Sequence, residues 1–388
     1  EVEVAAGGRV PVLFAMKAAS LGTATMKFSV QMNDERDAVE FKLPVHHPSP
    51  LRKLHVAHGV ATGDKKISVK LPANAIVSSA KLHVSVDPNG LSGIEDGLRD
   101  LVGYPYGCLE QTTSKVIPML ALRGLAESLN LDALKGGKLD GYVKAGIAKI
   151  GRHQTSYGGF SLWPGSEPSA YYTAYALWGL YLAKEAGYQV DQARIDDGLS
   201  YLGYDGKRPN RSEDYYDESG NLGNQAFALY VRAMLGSNDT QAATELLEKR
   251  KDMPVYGQAF LARALAADLG ADDPSVVALV TQLEERALAD AKKGELIGGK
   301  VSSYYMSSPM RTSAIVLDTL VALAPKSKAI ESTVALLMKK RRGSRYINTQ
   351  ANLYSLLALD NYAAMQSGQA PRAMVRLAGE TLIDATLQ

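Results

Sequence analysis

The chain has 388 residues, an apolar fraction of 46% and a net charge of +2. That length allows two or three domains, and the near-neutral charge gives no case for a nucleic-acid partner. No apolar run is long enough to span a bilayer, and a single cysteine, Cys108, excludes an intrachain disulfide.

Glu1 opens in strand-like sequence with no initiator Met, signal peptide or lipidation signal, so the chain reads as a piece excised from a longer protein. Met26, Phe28, Val30 and Met32 alternate with polar residues, as do Val39, Phe41 and Leu43. Alternation of this kind predicts two half-buried strands, with Asn33 to Asp37 as the hairpin loop. The prolines of Val45-His46-His47-Pro48-Ser49-Pro50 mark a linker. Alternation resumes at Ile67, Val69 and Leu71 and at Leu82, Val84 and Val86, and Pro88-Asn89-Gly90 closes the β region.

From about Leu91 the period becomes helical. Val116, Leu120, Leu122 and Leu125 share a face with Met119 beside them. Five later segments, opening at Thr173, Gln225, Gln258, Thr312 and Gln350, share one design: a small polar residue or Gln leads an alanine- and leucine-rich helix. With the helix near Gln111 there are six, roughly fifty residues apart, which suits one helical hairpin per repeat. More polar candidates, such as Ala242 to Lys249 and Ser275 to Ala291, lie between them. The expected architecture is mainly α: six hairpins closed into an α/α toroid, apolar helices inside and charged ones outside. An open solenoid is the other arrangement such repeats form. After Pro371, Met374 to Leu377, a turn at Ala378-Gly379-Glu380, and Thr381 to Ile383 read as β again. So few residues do not fold alone, and they are expected to pair with the sheet that precedes the toroid, making the toroid an insertion in a β domain.

Cys108 lies in Tyr104-Pro105-Tyr106-Gly107-Cys108-Leu109-Glu110-Gln111. A lone cysteine is most often a small buried hydrophobe. Here Gly107 permits a tight turn or a close approach, Gln111 stands at i+3 on the same helical turn, and two tyrosines can wall the site. The segment suits a thiol placed beside a carboxamide.

Gly107-Cys108-Leu109-Glu110-Gln111 resembles the thioester motif of the alpha-2-macroglobulin and complement family. Ser156-Tyr157-Gly158-Gly159-Phe160-Ser161, followed by Ala170 to Tyr175, is similar to that family's Gly/aromatic segment and the helix after it. Together with Trp163-Pro164-Gly165 and the absence of disulfides, the motif looks like the bacterial branch, of the enterobacterial periplasmic type. The resemblance implies a Cys108–Gln111 thiolactone formed with loss of ammonia. Tyr104, Tyr106, Gly107, Leu109 and Glu110 would shield or shape it. It also implies the C-terminal strands of a macroglobulin-like domain over 1–48 and a CUB-type β domain over 49–90 and 371–388, interrupted by the toroid over 91–370. The implied parent is a periplasmic protease inhibitor, anchored to the inner membrane by lipidation and monomeric. Cleavage of its bait region, absent from this chain, would expose the thioester to lysine amines of the attacking protease. The implied partners are those proteases and the parent's other macroglobulin domains.

Some complement relatives carry a histidine that redirects the thioester toward hydroxyls. The six histidines here are His46, His47, His55, His58, His83 and His153, and the region where the family places that residue, Arg208 to Tyr216, has Asn210 and Tyr215 instead. Direct attack by amines is therefore expected. His46, His47, His55 and His58 lack a ligand spacing, so no metal is expected, and no cofactor. Lys339 to Arg342, before Gly343, reads as a helix C-terminus. The rival reading is an α/α-toroid carbohydrate-active or terpenoid-cyclase-like enzyme, with Trp163 and Trp178 lining a cleft. Asp196-Asp197 and Asp272-Asp273 read instead as helix starts.

Overall fold

A computed structural model describes residues 1–46, 63–73, seven positions between 75 and 86, and residues 95–103, 107–123, 138–205, 218–298, 307–340, 348–366 and 372–386. The chain divides into two units, Glu1–His55 and Val56–Gln388.

The first unit is built on one antiparallel hairpin, β1 (Gly22–Met32) and β2 (Glu35–Val45). Met26 faces Phe41 and Phe28 faces Val39, so the apolar residues of both strands share one face. Phe28 stacks on Phe41 at 5.6 Å and meets Phe14 at 5.1 Å. The connection is tighter than the expected five-residue loop: Met32 pairs with Glu35, and Asn33 takes a φ of 52° to turn the chain.

The second unit contains twelve helices among its described residues: α1 (Glu95–Gly103), α2 (Leu109–Ala121), α3 (Lys138–Gly151), α4 (Ala170–Glu185), α5 (Gln192–Asp205), α6 (Glu218–Met234), α7 (Thr240–Glu248), α8 (Val255–Leu269), α9 (Pro274–Lys292), α10 (Pro309–Leu323), α11 (Ala329–Lys339) and α12 (Thr349–Met365). The even-numbered helices pack in succession, α2 on α4, α4 on α6, and so on to α12, which packs back on α2. That contact closes the ring. The odd-numbered helices lie outside, each against at least one inner helix that flanks it in sequence, with α1 between α12 and α2. The expected α/α toroid is the fold, and its open-solenoid rival is not.

Composition sorts the two layers. Along α10 the residues from Met310 to Leu317 are all buried, and along α12 so are those from Gln350 to Leu356. A helix that is apolar all round must be enclosed all round. Outer α7 buries only Ala243 and Leu246. The centre is aromatic: Tyr171, Tyr175, Trp178, Phe227, Phe260 and Tyr354 form a continuous chain of ring contacts between 4.8 and 6.4 Å. Trp178 thus belongs to the core rather than to a cleft, whereas Trp163 is 54% exposed.

Two strand expectations differ from the structure. Residues 64–72 form no strand, and the described positions among 80–86 form none. Ile67, Val69 and Leu71 are 62%, 41% and 53% exposed. Alternation supplies a face, but a strand also needs a neighbour to take its N–H and C=O groups. The last two strands, β3 (Arg372–Leu377) and β4 (Glu380–Thr386), form the expected hairpin about Ala378-Gly379, both with positive φ. Among the described residues they pair with each other, not with an earlier sheet.

Two carboxylate pairs also separate. Asp273 caps α9, accepting from the Ser275 N–H at 2.8 Å. Asp196 and Asp197 lie inside α5, not at its start. Lys339 ends α11 and Lys340 caps it, as expected, while Arg341, Arg342 and Gly343 fall outside the described residues.

Candidate functional site

Cys108 is the N-cap of α2, with extended backbone (φ −65°, ψ 169°), and is 4% exposed. Gln111 occupies the third helical position. The two side chains cap each other's backbone: the thiol sulfur lies against the Gln111 N–H, and Gln111 Oε1 accepts from the Cys108 N–H at 3.4 Å. This is a capping box with a thiol where serine or threonine is usual. Sulfur is a weak acceptor, and forgoing a hydroxyl cap costs helix stability of about 1 kcal/mol. The geometry that caps the helix is also one that crosses a thiol with a carboxamide within one turn. Burial pushes the Cys108 thiol up, the negative charge of Glu110 adds to that, and the Gln111 N–H opposes it.

Each neighbour predicted to shape the site has a definite place. Leu109 is fully buried, and its N–H donates to the Leu162 carbonyl at 3.0 Å, tying α2 to the loop after α3. Gly107 makes the close approach its identity allows: a Cβ there would sit 1.8 Å from Lys149 Nζ. Glu110 is 1% exposed and turns into the ring, away from solvent. Its Oε1 accepts from Ser114 Oγ at 2.7 Å and from Thr349 Oγ1, at the start of α12, at 2.9 Å. Burial raises its carboxyl, and the Ser114, Thr349 and Gln350 hydrogen bonds and the Arg311 charge hold it back. Tyr104 and Tyr106 lie outside the described residues, as do Asn210 and Tyr215.

Several residues that sequence reasoning left aside converge here. Ser114 Oγ is 2.7 Å from the Tyr175 hydroxyl, and the Tyr171 hydroxyl donates to Gln350 Oε1 at 2.7 Å. Burial pushes Tyr171 up to about 12 and Tyr175 well above its ordinary value, so both remain protonated donors. Arg311, fully buried, lies 4.8 Å from the ring of Tyr256 and 5.1 Å from that of Tyr354. A polar layer thus runs beneath the first turn of α2, across the N-terminal ends of α10 and α12. The sequence signal was the polar opening of each inner helix: Thr173, Thr312 and Gln350 are such openings and all are buried.

The loop between α3 and α4 covers the other side. His153 is 2% exposed, and its Nδ1 lies 3.1 Å from the Ser161 carbonyl oxygen, one residue from the Leu162 carbonyl that holds Leu109. Burial lowers its ring pKa, and the positive charges of Lys149 and Arg152 lower it further. Gly158 and Gly159 press this loop onto α5, where a Cβ would meet the Asp197 carbonyl at 2.6 Å and the Tyr201 ring at 2.7 Å. Of the histidines grouped for metal binding, only His46 is described, and no metal-ligand cluster occurs among the described residues.

Comparison with known proteins agrees with the architecture. Residues 82–235 match the family described as A-macroglobulin TED domain. Alpha-2-macroglobulin of Thermotoga maritima is 29% identical over 177 residues, covering 46% of this chain and 11% of that protein. Alpha-2-macroglobulin of Escherichia coli K12 is 33% identical over 165 residues, 40% of this chain and 10% of that protein. Among solved structures, Salmonella alpha-2-macroglobulin reacted with methylamine superposes with a TM-score of 0.68 at 21% identity, over 95% of this chain and 24% of that one. The chain therefore spans only a small part of these relatives' length, and the structural likeness is one of fold.

Proposed function

We propose that this chain, whose residues 82–235 match the A-macroglobulin TED domain family, belongs to the alpha-2-macroglobulin family and carries the covalent arm of a protease-trapping inhibitor. Its reactive group is an internal thioester between Cys108 and Gln111. The observation that carries this reading is the reciprocal cap at the start of α2, which crosses the two side chains in a buried place. In forming the bond, Cys108 Sγ adds to Gln111 Cδ, the carboxamide C–N bond breaks, and ammonia leaves with the thiol proton.

Burial suits storage of such a group. The thiolate is the leaving group, and a raised thiol pKa makes it a poorer one while the site is covered. Exposure removes the desolvation, and the N-terminus of α2 then favours the negative sulfur. An amine adds to the Gln111 carbonyl carbon, the C–S bond breaks, and sulfur takes up the proton that nitrogen loses. The chain has no histidine beyond residue 153, which favours direct attack by lysine amines over transfer to hydroxyls. In the whole protein, macroglobulin-like strands over 1–48 and a CUB-type domain over 49–90 and 371–388 flank the toroid of 91–370. That protein is a monomeric periplasmic inhibitor held at the inner membrane by lipidation and triggered by bait-region cleavage.

Intact mass of the freshly prepared chain tests the central claim. It should lie one ammonia below the sequence mass with no titratable thiol. Methylamine should add to Gln111 and release one thiol, and Cys108→Ala should do neither. Full mass with a free thiol from the outset would sink the reading.

A further inference from the structure

The family reading makes target lysines the acceptors. One lysine of this chain already stands at the site. Lys149 Nζ packs against the Gly107 backbone, the residue before Cys108. The charge of the same Lys149 amine also reaches Lys115, whose own amine is pushed down by burial first and by that charge second. Gln111 Oε1 accepts from the Cys108 N–H at 3.4 Å, the N–H of the peptide that joins Gly107 to Cys108. The Lys149 amine and the Gln111 carboxamide therefore converge on one peptide unit at the start of α2. Helix packing fixes this. At Gly146, three residues before Lys149, α3 comes so close to α2 that a Cβ would lie 2.3 Å from Val116 Cγ2. The approach leaves the α3 backbone little room to withdraw, and Lys149 follows one turn nearer the start of α2.

We propose that Lys149 is a built-in acceptor for the acyl group of Gln111, so that a thioester opened without a captured target closes on the chain itself. This rests on the thioester reading above. The step balances without a further reactant. The free amine of Lys149 adds to Gln111 Cδ, the C–S bond breaks, sulfur receives the proton released by nitrogen, and an isopeptide joins Lys149 Nζ to Gln111 Cδ. While Lys149 is an ammonium it is no nucleophile, so the stored bond persists as long as the amine keeps its proton. Once the amine is free, a tethered nucleophile competes strongly with dissolved ones, because its approach costs little entropy. Self-acylation then limits the time in which an exposed thioester can reach a target.

The experiment uses the full chain held at pH about 9, where a few per cent of an ordinary lysine is free amine, followed by intact mass, thiol titration and peptide mapping. The expected product keeps the mass deficit of one ammonia, gains one thiol, and yields a branched peptide joining Lys149 to Gln111. Lys149→Arg, which keeps the charge, and Lys149→Met should both lose that peptide and release the thiol several-fold more slowly, with the mass of one water added. Lys115→Met should still give it. Thiol release from the unaltered chain with a water gained and no branched peptide overturns the proposal and leaves the thioester reading intact. A branch to Lys115 also overturns it. Full mass with a free thiol at the start removes the thioester and the proposal together.

Discussion

The β1–β2 hairpin and the helical ring both begin from a periodic apolar pattern, and they differ in what covers it. On the hairpin, Met26 and Phe28 are half-buried, while Val30, Met32 and Val39 are 65%, 68% and 58% exposed. In the ring, Ala314, Val316, Leu317 and Leu320 have no exposure, nor do Leu353, Leu356 and Leu359. A two-stranded hairpin has one neighbour per strand, and among the described residues Phe14 is the ring that meets its apolar face, so periodicity yields hydrogen bonds with little core. Each inner helix has two inner neighbours and outer ones behind, so every side of it is filled. Ring closure also lets a residue near the start of the chain's helices, Glu110, be held by one near their end, Thr349. The turn that carries Cys108 and Gln111 rests on that junction.

Substitution at matched aromatic positions should show the difference most strongly. Phe227 is 1% exposed and contacts Tyr171, Tyr175, Trp178 and Phe260. Phe227→Ala should destabilise the helical unit by about 3–5 kcal/mol in urea unfolding followed by far-UV circular dichroism. Phe41 is 43% exposed and stacked on one ring in the hairpin. Phe41→Ala should shift that helical transition by less than about 0.5 kcal/mol, as a surface change does. Equal shifts would mean that the two units do not differ in the way their burial indicates. A smaller effect lies inside one helix. Gly146→Ala must push against Val116 and should cost about 1–3 kcal/mol. Gly141→Ala on the same helix meets nothing within 4 Å and should stabilise by about 0.5–1 kcal/mol.

What could be read from the sequence follows the same division. The six inner helices are legible because their pattern is local: a polar opening and a long alanine- and leucine-rich run. Cys108, Gln111 and the close approach at Gly107 are legible because they lie within one turn and a motif. The segments at 67–71 and 82–86 misled because alternation specifies a face and leaves the partner unspecified. Lys149, Arg311 and Thr349 were not legible as parts of the site. Their places depend on how α3, α10 and α12 pack against α2, and nothing beside them in the chain marks that. His153 lies upstream of the region where the family places its histidine, yet the Gly158-Gly159 turn folds the loop back so that Ser161 and Leu162 bring it beside Leu109.

The smallest effect, a pH dependence, belongs to the ring, where Glu110 and His153 are buried. His153 has a folded-state pKa below its unfolded value, through burial first and then through Lys149 and Arg152. Between those two values the unfolded chain binds a proton that the folded chain refuses, so stability falls as pH drops through the window beneath about 6.5. Glu110 acts in the opposite sense: its raised pKa lets the folded chain hold a proton that the unfolded chain has released. Acidification therefore destabilises by the His153 route beneath about 6.5 and stabilises by the Glu110 route as pH falls toward the ordinary carboxyl value of about 4.5. Asparagine can still donate to the Ser161 carbonyl but cannot take up a proton, so His153→Asn should flatten or reverse the acid limb of thermal stability between pH about 7.5 and 5.5. Glu110→Gln should remove the stabilising contribution that grows as pH falls toward about 4.5. If His153→Asn left the limb unchanged, the acid sensitivity would have to come from outside the loop that covers Cys108, and the loop would hold the start of α2 equally well whether or not its histidine were charged.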